Sequence, residues 1–196
     1  MAEICIRPAV RSDLPRLTEI YNYYVLHTAI TFDIEPFTAE QRVAWFEQFA
    51  TTGRHRLIVA EDGGLVVGYA GTMRFRAKPA YDTTVETTIY CAHDMSSKGI
   101  GSRLYAGLFE AIAREDIHRI MGAFTLPNVA TEKLHERFGF RRLGVFGECG
   151  RKFGRYWDVA WTSRPLRVGP GEKPGREDWG GVETGTGSPY VFSGID

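Results

Sequence analysis

The chain has 196 residues, of which 43% are apolar and 24% charged, and its 24 basic side chains balance its 24 acidic ones. That length favours one domain with a substantial core, and a formal charge of zero supplies no global field for nucleic acid or an anionic membrane. The opening MAEICIRPAV lacks the apolar run of a secretion signal, no apolar stretch is long enough to span a bilayer, and three scattered cysteines (Cys5, Cys91, Cys149) suit free thiols in the cytoplasm better than a disulfide framework.

Ile4, Ile6 and Pro8 predict a short opening strand. Ser12 is positioned to cap a helix whose first turn holds Asp13 and Pro15, and Leu14, Leu17, Ile20, Tyr21, Tyr24 and Val25 continue it at helical spacing. Thr38 to Gln41 has capping-box spacing, and Val43, Phe46 and Phe49 give the next helix an apolar stripe. Arg56 to Ala60 reads as a strand, Asp62-Gly63-Gly64 as a turn and Leu65 to Met73 as the hairpin partner. Val85 to Cys91 alternates β-branched residues, as a half-buried strand does. A Ser/Gly-rich loop over 96–101 leads into a helix carrying Leu104, Leu108 and Ile112. A strand over Arg119 to Leu126, a helix over Val129 to Phe138, and strands over Phe140 to Phe146 and Tyr156 to Thr162 follow. This β-α-α-β-β-β-α-β-α-β-β order predicts a mixed α/β layer fold. From Pro165 onward twelve of 32 residues are Gly or Pro, which divides the chain into a domain over 1–164 and a flexible tail over 165–196.

The segment from Ile89 to Leu104 is the most informative. A strand enters a loop, and Gly99 and Gly101 then open a helix. Glycines let backbone approach a ligand closely, and the free N–H groups at a helix start, with Lys98 beside them, form a cradle for an anion such as a pyrophosphate. The spacing fits neither the dinucleotide fingerprint nor the Walker A loop. A plain glycine-containing cap is the alternative reading.

Residues 96–101 resemble the pyrophosphate-binding motif of the GNAT superfamily, Gln/Arg-x-x-Gly-x-Gly/Ala, with Ser96 where the family usually carries Gln or Arg. The resemblance extends from about Ile4 to Leu166. Ile6-Arg7-Pro8-Ala9, Ile20-Tyr21-Asn22, Thr31-Phe32, Ala44-Trp45-Phe46 and Val67-Gly68-Tyr69-Ala70 occur in family order, followed by Val85-Glu86, Asn128, His135-Glu136, Phe138-Gly139-Phe140 and the run from Gly150 to Asp158. The series is similar to the phosphinothricin and methionine sulfoximine acetyltransferase branch. It implies an α/β GNAT fold, a mixed central sheet with splayed central strands flanked by helices, and acetyl-CoA as co-substrate without a metal.

The resemblance also implies roles for individual residues. The backbone of Ile89, Tyr90 and Cys91 pairs with the pantetheine arm like an added strand, and Ser97, Lys98, Gly99, Ile100, Gly101 and Ser102 hold the pyrophosphate. Asn128 contacts the pantetheine, caps the next helix, or does both. Glu86 is expected to deprotonate the amine and His135 to relay a proton. The residue types alone leave a solvated strand glutamate and a packed helix histidine as alternatives. Phe32, Phe75, Arg76 and Thr87 form the expected substrate contacts, with Arg74 nearby and an arginine available for a substrate carboxylate. Cys91 offers a nucleophile, although direct transfer within a ternary complex is the better expectation. The function implied is acetylation of a small amino-acid-like amine by a cytoplasmic homodimer. Another amine class (polyamine, aminoglycoside, peptide N-terminus) or a CoA-binding module without turnover are the rival readings.

Overall fold

The computed structural model describes residues 4–95 and 99–166. Its strands are β1 (Cys5–Pro8), β2 (Leu57–Asp62), β3 (Leu65–Arg74), β4 (Thr84–Cys91), β5 (Arg119–Thr125), β6 (Arg141–Lys152) and β7 (Arg155–Pro165). Helices α1 (Leu14–His27), α2 (Val43–Phe46), α3 (Ile100–Ala111) and α4 (Val129–Arg137) connect them. One sheet results, ordered β1-β2-β3-β4-β5-β7-β6. Its only parallel pair is β4 with β5, because the α3 crossover returns the chain beside β4 in the same direction.

The sheet is covered on both faces, so β2 reads as an unbroken apolar run, Leu57-Ile58-Val59-Ala60, with every member buried. Ile58 and Ala60 face α3, whose Ile100, Leu104, Tyr105, Leu108 and Ile112 form the stripe that packs there. Leu57 and Val59 face α1 through Leu17 and Ile20. Each such aliphatic side chain, fully buried, contributes roughly 1.5–3 kcal/mol relative to exposure.

The element order matches the sequence expectation, and the departures are local. Asp13, not Ser12, organises the start of α1: its carboxylate accepts the Val10 N–H at 2.8 Å and is clamped by Arg7 at 2.7 Å, which also reaches Glu61 on β2. Thr38 and Gln41 exchange the reciprocal capping-box hydrogen bonds, yet the helix that follows spans only Val43–Phe46. β6 and β7 form one long hairpin where two short strands were expected. Phe153 (φ 51°) and Gly154 (φ 77°) make its two-residue turn, and a register shift between Phe146 and Gly150 absorbs Glu148 at φ 51°. The expected tail lies, from residue 167 on, outside the described residues.

Candidate active site

Two cavities meet at β4, one on each side of the residue Tyr90. The first is a groove of about 410 Å³ between the C-terminal half of β4 and the facing ends of α3 and α4. It exists because the central strands part. β4 pairs with β3 from Val85 to Cys91, but with β5 only over Thr84, Glu86 and the residue between them. Beyond Glu86 the β5-facing edge of β4 therefore carries main-chain groups with no strand beside it among the described residues, the condition for pairing with an added extended ligand.

The groove brings together Ile89, Tyr90, Cys91, Gly99, Ile100, Gly101, Ser102 and Asn128. Gly99 precedes α3 at φ 74°, a left-handed conformation that costs a residue with a Cβ about 1–2 kcal/mol. Among the described residues no side chain caps α3, and Arg103 N–H bonds to the Gly99 carbonyl, so the N–H groups before it have no helical acceptor among the described residues. Asn128 caps α4 by accepting the Thr131 N–H at 3.1 Å while lining the groove. Tyr24 donates its hydroxyl to the Cys91 carbonyl at 2.6 Å, tying α1 to the end of β4. Burial pushes the Cys91 thiol up to about 11, so it stays protonated and weakly nucleophilic near neutrality. Ser97 and Lys98 lie outside the described residues.

The second cavity, about 320 Å³, opens on the α1–α2 face of β3 and β4. Glu86, Thr88 and Tyr90 alternate onto this face opposite Met73, Gly71 and Tyr69, and Met73, Thr88, Tyr69 and Tyr90 line the cavity. Glu86 does not line it but follows on the same face, paired with the lining Met73, and among the described residues no group donates a hydrogen bond to its carboxylate. Burial raises its pKa, and the Arg76 guanidinium opposes that rise.

The other expected site residues are dispersed. Arg76 is exposed and stacks at 4.9 Å on Phe75, which packs edge-on against Tyr81 and Trp161. Thr87 faces the opposite side of β4 from Glu86, buried, with its hydroxyl donated to the Gly71 carbonyl at 3.2 Å. The tip of the Phe32 ring abuts Gly150, where any Cβ would collide with it. The neighbouring Thr31 carbonyl accepts Lys152 Nζ at 2.9 Å, so β6 holds the 28–42 loop over the cavity.

His135 sits in the core, only 3% exposed, and does not line the groove. Its Nε2 is 3.0 Å from the Tyr105 hydroxyl and its Nδ1 is 2.8 Å from Thr162 Oγ1. Thr162 donates to the Gly122 carbonyl, which leaves it to accept from Nδ1–H while Tyr105 donates to Nε2. Phe140 stacks on the ring at 4.5 Å, and burial lowers the imidazole pKa to about 4. The expected proton relay thus occupies a site where both nitrogens are already engaged and a neutral ring is favoured.

Residues 6–161 match the family model described as an acetyltransferase (GNAT) domain. The chain belongs to the GNAT acetyltransferase family. A phosphinothricin N-acetyltransferase of Streptomyces coelicolor is 53% identical over 167 residues, covering 84% of this chain and 98% of the relative. An L-methionine sulfoximine/L-methionine sulfone acetyltransferase of Pseudomonas aeruginosa is 33% identical over 161 residues, covering 82% and 94%. The crystal structure of a phosphinothricin acetyltransferase from Sinorhizobium meliloti in complex with AcCoA superposes with a TM-score of 0.80 at 30% identity, covering 91% of this chain and 97% of that one.

The groove of this acetyltransferase fits such a ligand: an unpaired strand edge for an amide-bearing arm, then uncapped helix N–H groups for phosphates. Lys133 and Arg137 on α4 add positive charge along it, and Arg137 also reaches Ser102 at 3.3 Å. No group of three or more His, Cys, Asp or Glu able to hold a metal occurs among the described residues. None of the described helices is long and apolar enough to cross a membrane. Sequence reasoning missed Lys133 and Arg137, and it took Tyr21 and Tyr24 for core. The Tyr21-Asn22-Tyr23-Tyr24 run was the available signal, since hydroxyls are a costly choice for a purely apolar stripe.

Proposed function

We propose that this protein transfers an acetyl group from acetyl-CoA directly to the free α-amine of a small amino acid or analogue, of the phosphinothricin or methionine sulfoximine type. The observation that carries this reading is the junction at β4. The groove suited to the thioester and the cavity suited to a small acceptor both border Tyr90, and Glu86 lies on the cavity's sheet face, paired across from the lining residue Met73. The names of the relatives support the substrate class.

Acetyl-CoA bound in the groove supplies an activated acetyl thioester. The main chain of Ile89 to Cys91 would hold its arm, and the N–H groups at Ile100 to Ser102, with Gly99 clearing the approach, would hold its phosphates; Ser97 and Lys98, just before Gly99 in the sequence, are proposed to share that role. Glu86 takes the ammonium proton, directly or through one water, because a primary amine with a pKa near ~10 is otherwise charged at neutral pH. A backbone N–H of the open β4 edge would stabilise the oxygen on which charge develops; as the C–N bond formed, the C–S bond would break and CoA would leave as a thiolate, protonated from solvent. Arg76 at the rim tunes Glu86. Phe32 and Phe75 flank the acceptor side, and Thr87 contributes through its backbone. We assign His135 a positioning role: it fixes α4, which forms the far wall of the groove, against β5 and β7.

The protein is read as a cytoplasmic homodimer. Its three unpaired cysteines suit that compartment, and the exposed Leu143, Phe146 and Tyr156 along the β6–β7 hairpin supply an apolar face for a second copy. Light scattering tests the dimer. Thiol release from acetyl-CoA against a panel of methionine sulfoximine, phosphinothricin, polyamines and aminoglycosides tests the activity. Turnover confined to the amino acids is expected; acetyl-CoA binding without turnover on any amine would sink the reading.

A further inference from the structure

The cavity on the α1–α2 face holds a charge that no carboxylate among the described residues neutralises. Arg42 is 6% exposed and lines this cavity. Its guanidinium stacks 3.8 Å from the Trp45 ring centroid and 4.5 Å from that of Tyr21, and Nη1 donates to the Leu17 carbonyl at 3.3 Å. Among the described residues no carboxylate lies within ion-pair distance of it. Asp33, the one acidic residue lining the cavity, is engaged by the Tyr21 hydroxyl. Aromatic faces stabilise a cation partially but supply no counter-charge. A buried charge without a partner is expensive, and proteins retain one chiefly where a ligand completes it.

A second orphan adjoins it. Tyr69 is fully buried and lines the same cavity; its hydroxyl lies next to the Arg42 guanidinium but makes no hydrogen bond of good geometry among the described residues. A buried polar group left unmade calls for an explanation. A guanidinium fork beside a phenolic O–H is an arrangement of donors with no acceptor, and it matches the oxygens of a carboxylate or phosphinate. About 320 Å³ is at the small end for a ligand pocket, suited to a compact molecule. Met73 and Thr88 connect this site to Glu86 along the same sheet face.

We infer that Arg42, with the Tyr69 hydroxyl, anchors an oxyanion of the acceptor and so selects anionic amino acids and turns their amine toward Glu86. This rests on the amino-acid acetylation reading above. The oxyanion is either the α-carboxylate or a side-chain phosphinate, and the test separates the two. Steady-state kinetics would compare wild type, Arg42→Met and Arg42→Lys on methionine sulfoximine, its methyl ester and phosphinothricin. The acetyl-CoA KM and circular dichroism serve as controls on the fold. Arg42→Met should raise KM by about 30-fold or more for the substrate bearing the anchored group, with a smaller change in kcat and partial recovery in Arg42→Lys. A rise for both acids but not for the ester assigns the α-carboxylate; a rise confined to phosphinothricin assigns the phosphinate. Equal effects on acids and ester overturn the inference.

Should the wild type turn over no amine, the reaction reading fails, and calorimetric titration of both acids into wild type and Arg42→Lys still tests the anchor. Arg42-dependent binding supports it, and no binding overturns it. If neither variant folds, Trp45 fluorescence of the wild type decides, because quenching by the acids and not by the ester is required.

Discussion

The two sides of β4 are built on different principles. On the groove side the useful groups are main chain: an unpaired strand edge beyond Glu86, the first-turn N–H groups of α3, and a left-handed Gly99. On the cavity side they are side chains from distant segments: Arg42 from the start of α2, Tyr69 and Met73 from β3, and Tyr21 from α1. A main-chain site needs only local geometry, so it depends little on which side chains surround it. A side-chain site needs particular residues at particular places, and this is where the proposed anchor puts substrate choice. A substitution on one side should therefore leave the other side's ligand untouched.

Glu86→Gln offers the largest expected break. It preserves shape and removes the base, so kcat should fall by about 10²–10⁴-fold while acetyl-CoA affinity, measured by calorimetry, stays at the wild-type value. The same residue sets a pH signature. Burial raises its pKa, so the ionised, active form is reached only above the ordinary glutamate range, and the acid limb of kcat/KM is displaced upward accordingly. Arg76 opposes that shift, so Arg76→Met should carry the limb further upward. Unchanged rates in Glu86→Gln, or loss of acetyl-CoA binding with the rate, would dissolve the proposed division at β4.

His135 is expected to act on stability more than on chemistry. Its folded pKa of about 4 lies below the unfolded value near ~6.5. Between those values the unfolded chain binds more protons, so stability is fully present above the upper one and is lost as pH falls toward the lower. The contribution at neutral pH is on the order of 3 kcal/mol. Urea titrations from pH 7 to pH 4 should show this loss in the wild type, and His135→Gln should be less stable at pH 7 with a flatter pH profile. A variant with wild-type stability and a collapsed kcat would return His135 to the proton relay.

What was legible in the chain follows the same division. Strand alternation over 85–91, the glycines at 99 and 101 and the α3 stripe are local patterns, and each marks groove and fold directly. The β6–β7 hairpin was half legible, because Phe153 and Glu148 adopt positive φ where glycine or asparagine is the usual signal. Arg42 gave no signal at all. In sequence it is one arginine beside a capping box, and its burial arises only when the start of α2 packs against α1, placing Arg42 over the rings of Tyr21 and its own neighbour Trp45. Thr87 was misjudged for a simpler reason: alternation puts it on the face opposite Glu86.

Asn128 provides the finest test, since it belongs to the groove yet acts by a side chain. Its Oδ1 holds the Thr131 N–H at 3.1 Å, and loss of such a cap costs about 1 kcal/mol. Asn128→Ala should therefore lower the melting temperature by a few degrees. If the cap is its whole contribution, Asn128→Ser or Asn128→Asp restores both stability and the acetyl-CoA KM, because either side chain can accept the same N–H. If the amide also touches the pantetheine through its N–H₂, Asp restores stability but leaves KM raised, since a carboxylate has no proton to donate. The amine KM should stay fixed in every case, because α4 borders the groove and not the cavity.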